Sequence, residues 1–185
     1  MTRALRPKEP VSSSWAPPGS AAMETSGGSL PTSSASRAPA PLLNVLADSG
    51  PLGALFNRRD RFHARAVEFF RSHGAALRCR TTWEVVSEVM YFLDFSANAQ
   101  ADFLEWLHEA HIRGLMQIAA LDPTDLPGLA VLVRKYADRP MDLADASLVW
   151  LANKTDITDI ITVDRSDFAI YRTAKRKSFR NVFPA

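Results

Sequence analysis

The sequence predicts an α/β protein in which a central parallel sheet of four or five strands lies between layers of helices. Short, continuous apolar runs alternate with longer segments of helical periodicity, and those segments are long enough for parallel crossovers. The chain has 185 residues, and the part after residue 40 is long enough to bury an ordinary hydrophobic core. We therefore expect one three-layer α/β/α domain over residues 41–185.

Five apolar runs are predicted as strands and seven periodic segments as helices. The predicted strands cover 42–48, 75–79, 115–121, 159–163 and 181–183. The predicted helices cover 51–56, 61–73, 81–93, 97–112, 123–137, 143–152 and 166–172. Side chains that can cap a helix mark several of the helix starts. Asp60, Ser96 and Asp142 are expected as N-caps, and Thr81 with Glu84 matches a capping box.

The first 40 residues have a composition of their own. Ser, Ala, Pro and Gly supply 25 of them, and large apolar residues are few. Such a segment buries too little surface to offset the entropy of ordering it, so we predict disorder over residues 1–40. A start codon placed too far upstream, a linker or an expression remnant would each produce it.

The location of the protein is predicted from what the sequence lacks. It contains no apolar signal region and no run long enough to span a membrane. Its single cysteine, Cys79, excludes an internal disulfide and a thiolate metal cage. These features predict a protein of the reducing cytoplasm. Residues 41–185 carry 18 basic and 18 acidic residues, so net charge alone does not indicate a nucleic-acid partner.

Four acidic residues stand where a capping or surface role does not readily explain them. Asp48 and Asp164 each follow a predicted strand, and the carboxyl ends of neighbouring parallel strands meet at one edge of a sheet. Asp145 lies in the first turn of a helix that enters this edge. Glu88 lies among core-facing apolar residues of its helix and therefore needs a partner. We expect these four carboxylates to lie close together.

Four carboxylates at one point cannot all ionise without compensation, because like charges raise one another's pKa. A hard divalent cation removes that conflict, and oxygen-only ligands suit Mg²⁺ or Mn²⁺ better than Zn²⁺. His108 and His111 share a helix face but lack the further acids of a rival metal site. Asp142 is better explained as an N-cap.

Four stretches carry a family resemblance: VLADSGPLGALF, TTWEVVSEVMYFL, PMDLADASLVWLA and IITVDRSDFAIYR. In this order and spacing they resemble the PIN-domain nucleases and, within them, the VapC-type toxins of bacterial toxin–antitoxin pairs. The resemblance implies that four acids bind the metal and act in catalysis: Asp48, Glu88, Asp145 and Asp164. It also implies a supporting role for Ser49, Asp142 and Thr162. The segment before residue 41 departs from the family pattern.

The resemblance implies an endoribonuclease that depends on Mg²⁺ or Mn²⁺, is restrained by a small VapB-like antitoxin and forms a homodimer. Basic side chains are candidates to hold the RNA backbone: Arg58, Arg59, Arg61, Arg165 and Arg172. A PIN-fold module that binds RNA or protein without cleaving is the alternative. A phosphotransfer fold is a weaker one, because Gly50 stands where a dehalogenase-like site needs an acid, and because Glu88 would be unexplained.

Aromatic residues are unusually dense between residues 51 and 111, and we predict that some of them form an exposed groove for an amphipathic antitoxin segment. The residues are Phe62, Phe69, Phe70, Trp83, Tyr91, Phe92, Phe95, Phe103 and Trp106. Burial of all nine in the core would remove this prediction.

Overall fold

The computed structural model describes residues 42–139 and 141–184, and the predicted disorder of residues 1–40 lies outside them. The strands are β1 (Leu43–Ala47), β2 (Leu77–Thr82), β3 (Met116–Ala119), β4 (Asp159–Ile161) and β5 (Arg180–Asn181). Within these residues they form one parallel sheet in the order β3-β2-β1-β4-β5. The predicted parallel sheet is therefore confirmed, with five strands.

In the described part of the chain, seven α-helices connect or flank the strands. They are α1 (Ser49–Phe56), α2 (His63–His73), α3 (Trp83–Phe92), α4 (Ala97–Ile112), α5 (Leu126–Lys135), α6 (Leu143–Thr155) and α7 (Arg165–Phe168). Two short 3₁₀ turns cover Gly74–Ala76 and Pro123–Asp125. Within the described residues, no helix is both long and apolar enough to cross a membrane.

The strand order places helices on both faces of the sheet. The chain steps from β1 to β3 in one direction and then crosses back to β4. Because such crossovers are right-handed, α1–α4 cover one face and α5–α6 cover the other. Burial agrees with this arrangement. Val45 and Leu46 are adjacent in β1 and point to opposite faces, yet both are fully buried, as are Ile160 and Ile161 in β4. The predicted three-layer fold is confirmed.

The predicted capping box at the start of α3 is wrong. The N-cap of α3 is Thr82, whose hydroxyl accepts the Val85 N–H at 3.4 Å. The Thr81 hydroxyl instead donates to the Ala47 carbonyl of the neighbouring strand at 2.8 Å. Strand β2 runs to Thr82 rather than ending near residue 79, because its pairing with β1 continues to Arg80 and its pairing with β3 continues to Thr82. Glu84 thereby loses its predicted reciprocal role.

A buried hydroxyl pair fixes α6 against the sheet. The Thr82 and Ser147 side-chain oxygens are 2.6 Å apart and both residues are inaccessible to solvent. The Ser147 hydroxyl also lies 2.7 Å from the Ala144 carbonyl. A satisfied polar pair in an apolar surrounding is costly to break, because either partner alone would be left buried and unpaired. This pair therefore sets where the first turn of α6 stands relative to the end of β2.

Gly50 allows α1 to approach the end of β4. A Cβ atom on Gly50 would lie 2.3 Å from Cγ2 of Val163, which is far inside van der Waals contact. By contrast, a Cβ on Gly128, in the first turn of α5, would meet no atom within 4 Å. A residue without a side chain is thus required at Gly50 and not at Gly128.

We predict that Gly50→Ala lowers the free energy of unfolding by about 1–3 kcal/mol, because α1 or Val163 must move to accept the methyl group. Gly128→Ala is the matched control and should raise it by about 0.5–1 kcal/mol, since alanine loses less backbone entropy in a helix. Chemical denaturation of both variants measures the difference. Equal stabilities would show that the contact with Val163 is not limiting.

Candidate active site

Asp48 is the acid most firmly held by the fold. It lies between β1 and α1, is 6% exposed, and caps α1 by accepting the Ser49 N–H at 2.7 Å. Its other carboxylate oxygen accepts the Thr162 hydroxyl at 2.6 Å. The same hydroxyl oxygen accepts the Asp164 N–H at 2.9 Å. Thr162 therefore joins the ends of two neighbouring strands, β1 and β4, at the level of the carboxylates.

Asp164 follows β4 at the same edge of the sheet. It caps the short helix α7, where one carboxylate oxygen accepts the Asp167 N–H at 3.1 Å and the Ser166 hydroxyl at 2.9 Å. Its side chain is exposed. The sequence pattern predicts no capping role for Asp164, and the start of α7 supplies one. Asp164 still lies near enough to Asp48 to raise the pKa of that carboxyl.

Asp145 lies in the first turn of α6 and is half-buried. The hydroxyl of Tyr171 donates to its Oδ2 at 3.1 Å. Tyr171 is itself fully buried, with its ring packed edge-on against Tyr136 and Phe168. A rigid donor of this kind fixes the orientation of the carboxylate. Tyr171 lies in one of the four stretches that resemble the family, but the sequence does not predict its role, because no spacing rule connects it to Asp145.

Asp142 is the N-cap of α6, as predicted, and accepts the Asp145 N–H at 2.8 Å. It does more than cap. Its charge raises the pKa of each of three neighbouring acids: Asp48, Glu88 and Asp145. Asp142 therefore lies among the other carboxylates in addition to capping α6.

Glu88 projects from α3 and is half-buried. Burial raises its pKa above the ordinary glutamate value, and the charges of Asp142 and Asp48 add to that rise. The Ser49 side chain acts in the opposite direction by hydrogen bonding to Glu88. Ser49 thus faces two acids, because its backbone N–H is bound to Asp48.

Two of these acids have strongly raised pKa values. Burial raises the pKa of Asp145 to about 8, with repulsion from Asp142 and Asp48 as the next causes. Burial also raises the pKa of Asp48 to about 6, against the lowering effect of its hydrogen bonds to Thr162 and Ser49. Acids that repel one another in a partly buried site gain from a cation that compensates their charge.

The structure thus brings the predicted acids into one neighbourhood at the carboxyl edge of the sheet. Asp48, Asp145 and Glu88 each interact with Asp142, and Asp48 also interacts with Asp164. Over residues 42–139 and 141–184, no three Asp, Glu, His or Cys side chains converge closely enough to enclose an ion as they stand. The donor set contains only carboxylate and hydroxyl oxygens, which suits a hard cation such as Mg²⁺.

Comparison with known proteins agrees with this geometry. Ribonuclease VapC26 of Mycobacterium tuberculosis is 29% identical to the chain over 128 residues, which are 69% of this chain and 92% of that protein. The crystal structure of VapC20 from the same organism, described as a Sarcin-Ricin loop cleaving toxin, matches with a TM-score of 0.57. That match covers 66% of this chain and 91% of the other at 14% identity, and it concerns the fold. No protein-family model matches.

The chain is similar to VapC proteins in sequence and in fold. The resemblance inferred from the four sequence stretches is therefore confirmed. The individual roles of the acids, of Ser49 and of Thr162 stay predictions.

The candidate RNA-binding arginines fall into two groups. Arg58, Arg59 and Arg61 are exposed in the turn after α1, and the Arg61 guanidinium lies 4.6 Å from the centre of the Phe62 ring. Arg165 and Arg172 are engaged by the backbone. Arg165 donates to the Phe183 carbonyl at 3.1 Å, and Arg172 donates to two carbonyls beyond α7. The first group is better placed to receive phosphates.

Two open clefts flank the acids at the carboxyl edge of the sheet. One, of about 400 Å³, lies beside α1 and the turn that follows it. Its lining residues are Gly50, Gly53, Ala54, Asn57, Asp60, Arg61, Phe62, Phe92 and Val163. The other, of about 460 Å³, lies between α3 and the start of α6. Its lining residues are Trp83, Glu84, Ser87, Glu88, Tyr91, Asp142, Leu143 and Ala144.

The nine aromatic residues considered for a partner groove divide between core and surface. Phe69, Phe70 and Phe103 are buried, and Phe62 and Trp106 are partly buried. The other four are exposed: Trp83, Tyr91, Phe92 and Phe95. Exposed aromatic surface of the predicted kind therefore exists, concentrated on α3 and the turn after it.

We predict that the metal-free protein loses stability as the pH rises from about 5 to about 8.5, because the folded state retains protons that the unfolded chain has released. For Asp145 the stabilisation is complete below the unfolded pKa near 3.8 and is lost as the pH rises through about 8. Asp145→Asn removes this proton, so the variant should be more stable than the parent at the upper end and show a smaller pH dependence.

The measurement is denaturant unfolding in the presence of a chelator at several pH values. Asp94→Asn is the control, because Asp94 is exposed in the turn after α3 and away from the site. It should leave the pH dependence as in the parent. A slope that Asp145→Asn does not change would mean that Asp145 keeps an ordinary pKa in the folded protein.

Proposed function

We propose that the chain is a metal-dependent endoribonuclease that acts as the toxin of a toxin–antitoxin pair. The observation that carries this proposal is the neighbourhood of carboxylates at the carboxyl edge of the sheet, two of them with strongly raised pKa values. The names of the two M. tuberculosis relatives, a ribonuclease and a cleaving toxin, support RNA as the substrate.

The proposed ligands of Mg²⁺ or Mn²⁺ are Asp48, Glu88 and Asp145, with Asp164 taking part directly or through water. Such an ion polarises phosphoryl oxygens and lowers the pKa of a bound water, which suits phosphodiester hydrolysis. The protein must supply deprotonated carboxylates, and the raised pKa values mean that binding the ion displaces protons, above all from Asp145.

The surrounding side chains orient these ligands. Thr162 and the Ser49 N–H bind different oxygens of Asp48, so that its carboxylate cannot rotate freely. Tyr171 holds one oxygen of Asp145 and leaves the other for the ion. Groups that position a metal ligand typically affect affinity or activity by about 10- to 100-fold. The exposed turn with Arg58, Arg59 and Arg61 is proposed to hold the RNA backbone through its phosphates.

The decisive test compares two acids one helical turn apart. Asp145→Asn is expected to abolish RNA cleavage and weaken Mg²⁺ binding while preserving the fold. Asp142→Asn keeps the cap, since asparagine caps a helix as well as aspartate does, and should lose no more than about 10- to 100-fold. Cleavage of the same RNA with Mg²⁺, with Mn²⁺ and with chelator measures both. Equal activities of the two variants would refute the assignment of Asp145.

The same assay separates the proposed nuclease from a silent binding module. A parent protein that binds RNA but leaves it intact under all metal conditions would favour the module. Cleavage that requires the ion and disappears in Asp145→Asn, with circular dichroism unchanged, would establish the nuclease.

We further propose that the cleft beside α1 receives an amphipathic segment of a VapB-like antitoxin. Its wall is apolar where Gly53, Ala54 and Phe92 meet, and polar where Asp60 and Arg61 lie, which suits a segment with one apolar and one charged face. A homodimer is also expected from the family resemblance, and sedimentation of the purified chain would test it.

Phe92→Ala should weaken binding of the antitoxin encoded by the neighbouring reading frame by about 10-fold or more, as expected when a buried interface aromatic is truncated. Phe95→Ala is the matched control, because Phe95 is exposed nearby but does not line the cleft. Calorimetric titration of both variants with the antitoxin measures the loss. Similar affinities for the two would place the partner elsewhere.

A further inference from the structure

The cleft between α3 and the start of α6 shares two residues, Glu88 and Asp142, with the neighbourhood of acids. A polymer whose phosphodiester bond lies against those acids must pass through or beside this cleft. Its volume of about 460 Å³ lies within the range of small-ligand pockets. The cleft is therefore placed to receive the nucleotide next to the bond that is cut.

Two exposed aromatic rings stand at opposite ends of this cleft. Trp83 is 52% exposed and Tyr91 is 73% exposed, although both lie on a helix whose valines are buried in the core. They are eight residues apart on α3, a rise of about 12 Å. Ser87, a small exposed residue that also lines the cleft, lies between them. Since stacked bases repeat about every 3.4 Å, this space accepts one or two bases between the rings.

Other residues that line the cleft are acidic or apolar. Leu143 at the start of α6 is 53% exposed and lines it, and Glu84 lines it from α3. The Oε2 atom of Glu84 is buried and has no hydrogen-bond partner within the described residues. A buried carboxylate oxygen without a donor is costly, so a group that brings an N–H to it is favoured.

The charges decide which part of a nucleotide this cleft takes. Glu84 and Asp142 repel phosphates, whereas a nucleobase is neutral, stacks on aromatic rings and carries N–H donors on its edge. Basic side chains lie at the other cleft, where Arg61 is part of the lining. The surface thus separates a wall that suits bases from a turn that suits the sugar-phosphate backbone.

We propose that the cleft between α3 and α6 is a nucleobase-binding subsite for single-stranded RNA. Trp83 and Tyr91 stack on one or two bases adjacent to the scissile bond, and the carboxylate of Glu84 accepts an amino or imino N–H from a base edge. This inference rests on the proposed function and deepens it, because it names the residues that select where the RNA is cut.

The test measures cleavage and binding of a random-sequence single-stranded RNA pool by the full chain. Trp83→Leu and Tyr91→Leu should each lower kcat/KM and RNA affinity by about 5- to 150-fold, the range that alanine substitution gives for stacking on one base. Their Mg²⁺ affinity should equal that of the parent, since neither side chain belongs to the proposed ligand set. Trp83→Phe keeps a ring and should recover most of the loss.

Two further variants sharpen the comparison. Phe95→Leu removes an exposed aromatic outside the cleft and should behave as the parent. Glu84→Gln replaces a double acceptor by a side chain that both donates and accepts. It should alter base preference at one position beside the cut by about 10- to 150-fold, as loss of a hydrogen bond to a charged group does. Sequencing of the cut ends reads this preference.

The possible outcomes test the nucleobase subsite and the nuclease activity separately. If the parent cleaves RNA and the Trp83 and Tyr91 variants match Phe95→Leu, the subsite is refuted and the nuclease stands. If the parent cleaves nothing but these variants alone lose RNA binding, the nuclease is refuted and the subsite stands. If they lose only antitoxin binding, the cleft is a protein-docking site and the proposal is overturned.

Discussion

The burial of Asp48 between β1 and α1 is the constraint on which the rest of the site depends. A carboxylate that is 6% exposed must be satisfied, and the fold satisfies it from two directions, through the Ser49 N–H and the Thr162 hydroxyl. The first of these bonds begins α1, and the second fixes β4 beside β1. Gly50 completes the arrangement, because only a residue without a side chain lets α1 lie this close to Val163. One acid therefore organises two strands and a helix.

Helix capping and site chemistry share the same residues in this fold. Asp48, Asp142 and Asp164 each begin a helix, at α1, α6 and α7. An N-cap lies at the end of the preceding strand or loop, so three capping carboxylates at one edge of a parallel sheet necessarily stand near one another. Their shared charge is unfavourable without a counter-ion, and the stability gained from capping holds them there. A structural role for an acid is thus no argument against a functional one.

The two clefts on either side of the acids differ in chemistry, so the two sides of the site favour different parts of a nucleotide. The cleft beside α1 combines apolar surface with an exposed basic turn, whereas the one between α3 and α6 combines exposed aromatic rings with carboxylates. Side chains that favour phosphates and side chains that favour bases thus lie on opposite sides of the candidate metal ligands. A strand of RNA has a charged backbone and neutral bases, and would be oriented by such a surface.

The sequence by itself determined the sheet, its parallel sense and the helices, and it indicated four candidate acids, because apolar runs, helical periodicity and carboxylates after strands are local signals. It did not determine that β2 ends at Thr82, where pairing with β3 outweighed the local capping pattern. Nor did it reveal that Tyr171 holds Asp145 or that Asp142 raises the pKa of Asp48 and Glu88, since these relations join residues far apart in the chain. Only tertiary structure decides such contacts, because they depend on how strands order and helices cross, which no local pattern encodes.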